Sequence, residues 1–380
     1  MTDWLDWPFF EPRHRELSRQ LDQWCRANIT EVHADDVDAQ CRALVRELGK
    51  ADFLKLCVAS GEAPPDVRSL AIARSTLARH SGLADFAFAM QGLGSGAISL
   101  FGSKEQKAEW LPEVASGEAI AAYALTEPDT GSDAANIGMR ADRTADGWVL
   151  TGEKSDISNG TIADVLTVFA RTGSAEDGAR GISAFIVRGD DPGLSVAERI
   201  EVIAPHPLAR LKFDGAVADL LGSEGEGFKV AMQTLNLFRV TVGAAALGFA
   251  RRALDEALDF ASNRRLGDGV LADHPVTWEK LAGMKLAVDT SELLIARAAW
   301  EQDMGAVDNR RAAAMAKLNA TEEAQKVIDA AVQLHGGLGV TKGAKVEELY
   351  REIRALRIYE GASEVQRMII ARDLLKEHRS

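Results

Sequence analysis

The residues from Arg357 to Arg367, Arg-Ile-Tyr-Glu-Gly-Ala-Ser-Glu-Val-Gln-Arg, set a carboxylate directly before a glycine. The apolar residues around them (Leu356, Tyr359, Val365, Met368, Ile369, Leu374) recur at nearly helical spacing. Gly361, Ala362 and Ser363 interrupt that run just after the acid, and a glycine there lets a ligand approach the backbone. Glu360 is therefore a candidate proton acceptor, although a helix ending in a solvated glutamate has the same pattern. The stretch Ala124 to Asp133 brings hydroxyls (Thr126, Ser132) and backbone amides around Gly131 into a Pro-set turn, which suits a polar ligand or an ordinary helix cap. Gly152 to Gly160 reads as a strand running into a polar turn. Gln333 to Gly339 is a glycine-rich connection where a backbone could meet a phosphate or an adenine ring. It lacks a preceding strand and a Gly-Lys-Ser/Thr step, which argues against a nicotinamide Rossmann unit and a phosphate loop. His335 has no second histidine or cysteine at metal spacing, so it reads as a packed loop histidine and no metal site is expected.

The elements that must position these residues fall into three blocks. With 380 residues, 46% of them hydrophobic, the chain is long enough for more than one core. Residues 1–119 read as helical, with Leu17, Leu21, Trp24 and Cys25 on one stripe, Leu70, Ile72, Leu77 and Ala78 on another, and a loop at Pro64-Pro65. Residues 120–227 read as a β domain. Its signals are the hairpin cue Asp146-Gly147 before Trp148 to Thr151, and the apolar runs Val165 to Phe169 and Ala184 to Val187. Residues 228–380, rich in Ala, Leu, Glu and Arg, read as a helical bundle. The net charge of −13 argues against nucleic acid or an anionic membrane as the main partner. Cys25, Cys41 and Cys57 are odd in number and dispersed, as expected of reduced thiols. No apolar run is read as membrane-spanning. Met1 to Phe10 carries Asp3 and Asp6 and does not read as a signal peptide. A cytoplasmic bacterial protein is expected, or a mitochondrial matrix one if processed.

In this order and over nearly the whole length, these segments resemble the acyl-CoA dehydrogenase family, whose two signature regions correspond to Ala124–Asp133 and to Gln333–Gly339 leading into Ile358-Tyr359-Glu360-Gly361. The resemblance implies a mainly α fold with a central β domain: a helical N-terminal domain, a middle β domain and a C-terminal four-helix bundle, enclosing FAD. It implies removal of an α proton from an acyl-CoA thioester by a carboxylate while the β hydrogen leaves as hydride to flavin N5, with electron-transferring flavoprotein as acceptor. Glu360 matches the base, and an apolar pocket would raise its pKa towards the working pH. Some members carry the base before an arginine matching Arg239, but Phe238 stands there and cannot take a proton.

The same resemblance assigns FAD contacts to Leu125, Thr126, Gly131, Ser132, Asp156, Ile157, Ser158, Ala362 and Glu364. It also assigns Arg264, Gln333, Gly336 and Gly337 to a site shared with a neighbouring subunit, hence a homotetramer. Ser132, Asn236, Arg239 and Gly361 match substrate contacts. Four departures stand out: Asp156 where many members have tryptophan, Leu266-Gly267 for an aromatic-glycine pair, Ala362 for threonine, and no Pro-x-x-Tyr-Gly-Gly loop. Asp156 against the flavin would lower its potential by like-charge repulsion. A flavin oxidase or monooxygenase on the same fold, and a non-catalytic relative, are the alternative readings.

Overall fold

In the computed structural model, which describes residues 4–29, 36–59, 61–145, 147–306 and 308–379, the chain is 62% helical with a central β region. The N-terminal helices are α1 (Pro12–Asn28), α2 (Val37–Lys50), α3 (Val67–His80), α4 (Gly82–Phe101) and α5 (Lys104–Ser116). Strands follow: β1 (Ala121–Ala124), β2 (Arg140–Thr144), β3 (Gly147–Ser158), β4 (Val165–Arg171), β5 (Ile182–Arg188), β6 (Leu194–Arg199) and β7 (Leu208–Leu221). The C-terminal helices are α6 (Gly227–Asn263), α7 (Pro275–Asp303), α8 (Arg310–His335), α9 (Lys345–Leu356) and α10 (Ser363–Arg379). The chain packs as two compact units, one of residues 1–30, 66–85 and 239–380, the other of 31–65 and 86–238.

In the second unit the strands form one sheet. β4 pairs β5, β5 pairs β7, β7 pairs β3, β3 pairs β2, and β2 returns to β4 at Arg140 and Arg171, with β1 parallel to β4 and β6 on the edge of β7. All seven residues of β4 are buried, which explains its unbroken apolar run. The hairpin cue is met by a tight connection, with Thr144 paired to Gly147; Asp146 itself lies outside the described residues, as do Met1 and Asp3. Helix α4 lies directly on β1. A Cβ at Gly94 would fall 2.7 Å from the Ala121 carbonyl carbon and the Ala122 nitrogen, and Thr167 Oγ1 donates to the Gly94 carbonyl at 2.8 Å.

In the first unit α1 and α7 pack on α3, and α8 packs on α7, α9 and α10. Small residues let α6 and α8 approach closely: Ala312, Ala313, Ala314, Ala316 and Ala320 of α8 are buried, and Gly243 of α6 meets α8 at Ala316 and Ala320. Buried or half-buried ion pairs tie the helices, Arg68 with Asp303 at 2.8 Å and Arg251 with Glu292 at 2.7 Å. Helix α6 corrects one expectation: its most apolar stretch has mean hydropathy 1.3, long and apolar enough to cross a membrane on those criteria. Since 78% of that stretch is buried inside the protein, it is apolar because it is core.

Candidate active site

The C-terminal helical run breaks where the sequence suggested. Between α9 and α10, Glu360 and Gly361 both take left-handed backbone conformations, φ +50° and +90°. A glutamate there is disfavoured and persists only when its surroundings hold it. Lys317 of α8 supplies much of that hold, its Nζ donating to the carbonyls of Tyr359 at 3.2 Å and Gly361 at 2.8 Å. Gln366 Nε2 donates to the same Gly361 carbonyl at 2.8 Å, and a Cβ at position 361 would lie 2.5 Å from that nitrogen. Glu322 accepts from Ser363 Oγ at 2.5 Å and from Arg357 at 2.9 Å, joining the two ends of the turn.

The turn delivers Glu360 into a polar cluster within the first unit. Its Oε2 is sealed from solvent and has no hydrogen-bond partner among the described residues. Burial pushes the carboxyl above the usual carboxylate range, Arg74, Lys317 and Arg239 pull it back, and Asp85 adds to the rise. Arg74 donates to both oxygens of Asp85, at 2.9 and 2.8 Å, to Thr241 Oγ1 at 3.2 Å and to the Tyr359 hydroxyl. Burial alone would lower the Arg74 pKa, but the Asp85 pair outweighs it. Burial lowers Lys317 to about 8, against the pull of Glu360. It lowers Arg239 as well, again opposed by Glu360. Desolvation makes such a carboxylate more basic while nearby cations favour its ionised form, which is chemistry open to a general base.

The polar loop after β1 belongs to the second unit. Ser155 N donates to the Thr126 carbonyl at 2.9 Å, which brings the Ala124–Asp133 loop alongside the end of β3. Lys154, fully buried, donates to the Leu125 carbonyl at 2.9 Å and to Glu127 at 2.8 Å, and Glu127 also takes the amides of Gly138 and Met139. Burial brings Lys154 down to about 8, its Glu127 pair opposing the fall. This framework leaves Thr126 and Ser158 half-buried and Gly131, Ser132 and Asp156 exposed. Asp156 has φ +55° in a bulge between Lys154 and Ile157. Leu125 and Ile157 direct their side chains into the β-domain cores, and their carbonyls accept from Lys154 Nζ and from Gly160 N–H, both at 2.9 Å.

The remaining expected positions divide between the units. In the first, His335 is buried and stacks on Phe260 at 4.2 Å, and Arg264 lies over the same ring at 6.0 Å, so the ends of α6 and α8 meet and bring Arg264 near Gln333, Gly336 and Gly337. Ala362 is half-buried and Glu364 exposed at the start of α10. Arg239, on α6, is buried in the first unit, while Asn236 of the same helix belongs to the second. In the second unit Phe238 is buried with its ring against Gly92 and Gly96, where added Cβ atoms would fall 2.7 and 2.6 Å from it.

Family models for the N-terminal, middle and C-terminal domains of acyl-CoA dehydrogenases match residues 11–118, 122–216 and 225–375. The chain is 34% identical to a 3-(aryl)acrylate reductase of Clostridium sporogenes over 97% of this chain and 100% of that one. It is 38% identical to the human mitochondrial short-chain specific acyl-CoA dehydrogenase, over 89% and 84%. The chain belongs to the acyl-CoA dehydrogenase family. The butyryl-CoA dehydrogenase structure of Megasphaera elsdenii superposes with TM-score 0.89 at 28% identity, covering 96% of this chain and 99% of that one. An acyl-CoA dehydrogenase complexed with FAD from Bacillus anthracis gives 0.88 at 28%, covering 97% and 68%.

Acyl-CoA dehydrogenases are FAD-dependent oxidoreductases acting on acyl-CoA, and this member is one of them. The residues of each unit fit the cofactor. In the second unit an added Cβ at Gly131 would meet nothing within 4 Å, open backbone of the kind a nucleotide phosphate uses, in the loop that carries the hydroxyls of Thr126 and Ser132; in the first unit Gly336 and Gly337 are open in the same way. Sequence reading missed Lys317, Arg74 and Asp85. Lys317 ends the alanine run Ala312 to Ala316 and Arg74 follows Leu70-Ala71-Ile72-Ala73, so a single cation within an apolar helical stripe was the available signal.

Proposed function

We propose that this protein introduces an α,β double bond into an acyl-CoA thioester, with Glu360 as the base that takes the α proton. The observation that carries the reading is Glu360 Oε2, sealed from water and without a hydrogen-bond partner among the described residues, with Arg74, Lys317 and Arg239 acting on its charge. When bound, FAD supplies the hydride acceptor. Glu360 receives the proton, Gly361 beside it meets the thioester, and Arg239 with Asn236 meets the CoA portion. Thr126, Ser132, Ser158, Arg264, Gln333, Gly336 and Gly337 hold the flavin, with Leu125, Gly131, Asp156, Ile157, Ala362 and Glu364 around it. The functional division at 1–119, 120–227 and 228–380, electron-transferring flavoprotein as acceptor, and assembly as a homotetramer in the bacterial cytoplasm belong to the same proposal.

The test is an anaerobic titration of the flavin absorbance with straight-chain, branched, cyclic and aromatic acyl-CoA thioesters, in wild type and Glu360→Gln. Wild type is expected to bleach with one class. Glu360→Gln is expected to keep FAD and CoA binding while reduction slows by about 10²–10⁴-fold. Unchanged reduction in the variant would move the base elsewhere. A second reading, reduction of an unsaturated acyl group by the same site, is supported by the end-to-end likeness to the 3-(aryl)acrylate reductase. Net reoxidation of reduced enzyme by aryl-acrylyl thioesters, faster than by electron-transferring flavoprotein, would favour it.

A further inference from the structure

Lys317 is a fully buried ammonium whose bonds go only to two neutral peptide carbonyls, and among the described residues it forms no ion pair. Burying a cation against neutral acceptors is costly, and a neutral side chain could fill the same volume. The carbonyls it holds are those of Tyr359 and Gly361, on either side of Glu360, whose backbone is in the strained left-handed region. The charged groups facing Glu360 come from four helices: Arg74 from α3, Asp85 from α4, Arg239 from α6 and Lys317 from α8, with the Tyr359 hydroxyl beside them. Arg74 is paired through both of its bonds to Asp85, which offsets much of its field at Glu360. Lys317 carries no such partner.

We propose that Lys317 is a positioning residue for the base, its ammonium fixing the peptides that flank Glu360 and supplying the counter-charge that keeps the carboxylate ionised. This rests on Glu360 being the base. Removing the charge takes away a favourable interaction with the carboxylate, so Glu360 should hold its proton to higher pH.

The experiment uses the FAD-loaded enzyme. The Glu360 carboxyl band is titrated by difference infrared spectroscopy, with Glu360→Gln assigning the band, in wild type, Lys317→Met, Lys317→Gln and Lys317→Arg. FAD content and Tm are recorded beside it. In Lys317→Met the carboxyl midpoint should rise by about one pH unit, with flavin reduction by acyl-CoA about tenfold slower below that midpoint and acyl-CoA affinity changed less than about threefold. Lys317→Arg should restore the midpoint. Lys317→Gln, which keeps a donor but no charge, should behave like Lys317→Met and serves if the latter does not fold. An unmoved midpoint, with activity falling only in step with FAD content and Tm, would overturn the proposal. Retained flavin reduction in Glu360→Gln would instead remove the base assignment while leaving the infrared coupling to be read on its own.

Discussion

Two carboxylates of the C-terminal region illustrate how surroundings decide what a glutamate does. Glu360 is desolvated among cations and is proposed to take the substrate's proton. Glu352 on α9 has its carboxyl against Gly82, where a Cβ would fall 2.4 Å from it, and burial, then neighbouring Glu348, pushes it from an ordinary 4.5 to about 8. Between those two values the folded protein binds a proton that the unfolded chain has released. The stability from this group is therefore full below pH 4.5 and is lost as pH rises through about 8. Glu352→Gln, a neutral isostere, should raise Tm by roughly 2 °C at pH 8.5 and leave it unchanged near pH 4. Differential scanning calorimetry at the two pH values checks this, and a variant destabilised at pH 8.5 would contradict it. Glu360 was legible in the sequence because an acid before glycine breaks a helical pattern. Lys317 and the Arg74–Asp85 pair were not, because their role arises only when α3, α4 and α8 are brought to the same turn.

At the scale of elements, the contact between α4 and β1 is set by backbone. Gly94→Ala would place its methyl 2.7 Å from main-chain atoms of Ala121 and Ala122, which cannot rotate aside. The variant should lose about 1–3 kcal/mol in urea unfolding. Gly131→Ala is the control: its Cβ would meet nothing within 4 Å and its backbone is not in the left-handed region, so it should be near neutral. A neutral Gly94→Ala would mean that the helix and strand can separate without cost. The legibility of the strands follows from burial. Val165 to Phe169 and Ala184 to Val187 were read because β4 and β5 are nearly wholly buried and so continuously apolar. β6 has only its first residue out of the exposed class, so it presents no apolar face to read. β7 alternates but is interrupted at Gly215, φ +75°, where the pairing with β3 shifts register.

For the whole molecule, the three blocks were visible because helical and β periodicities differ, and the family followed from several motifs in one order. The proposed assembly of copies of the chain would depend instead on surface that the fold leaves uncovered. Leu286, Leu293 and Trp300 recur every seven residues along α7 and stay 66%, 48% and 37% exposed. An apolar stripe at heptad spacing on a helix suits a helix of a second copy, and it would be a liability on a monomer. If this stripe is the interface of the proposed tetramer, Leu286→Glu with Leu293→Glu should reduce the mass measured by light scattering without changing the far-ultraviolet circular dichroism. Because Arg264, Gln333 and Gly337 are proposed to complete the flavin site of a neighbouring subunit, the smaller species should also lose FAD on gel filtration. Loss of assembly with full FAD retention would separate the two ideas and confine the flavin site to one chain. An unchanged mass would place the interface elsewhere and leave the stripe on α7 to another partner.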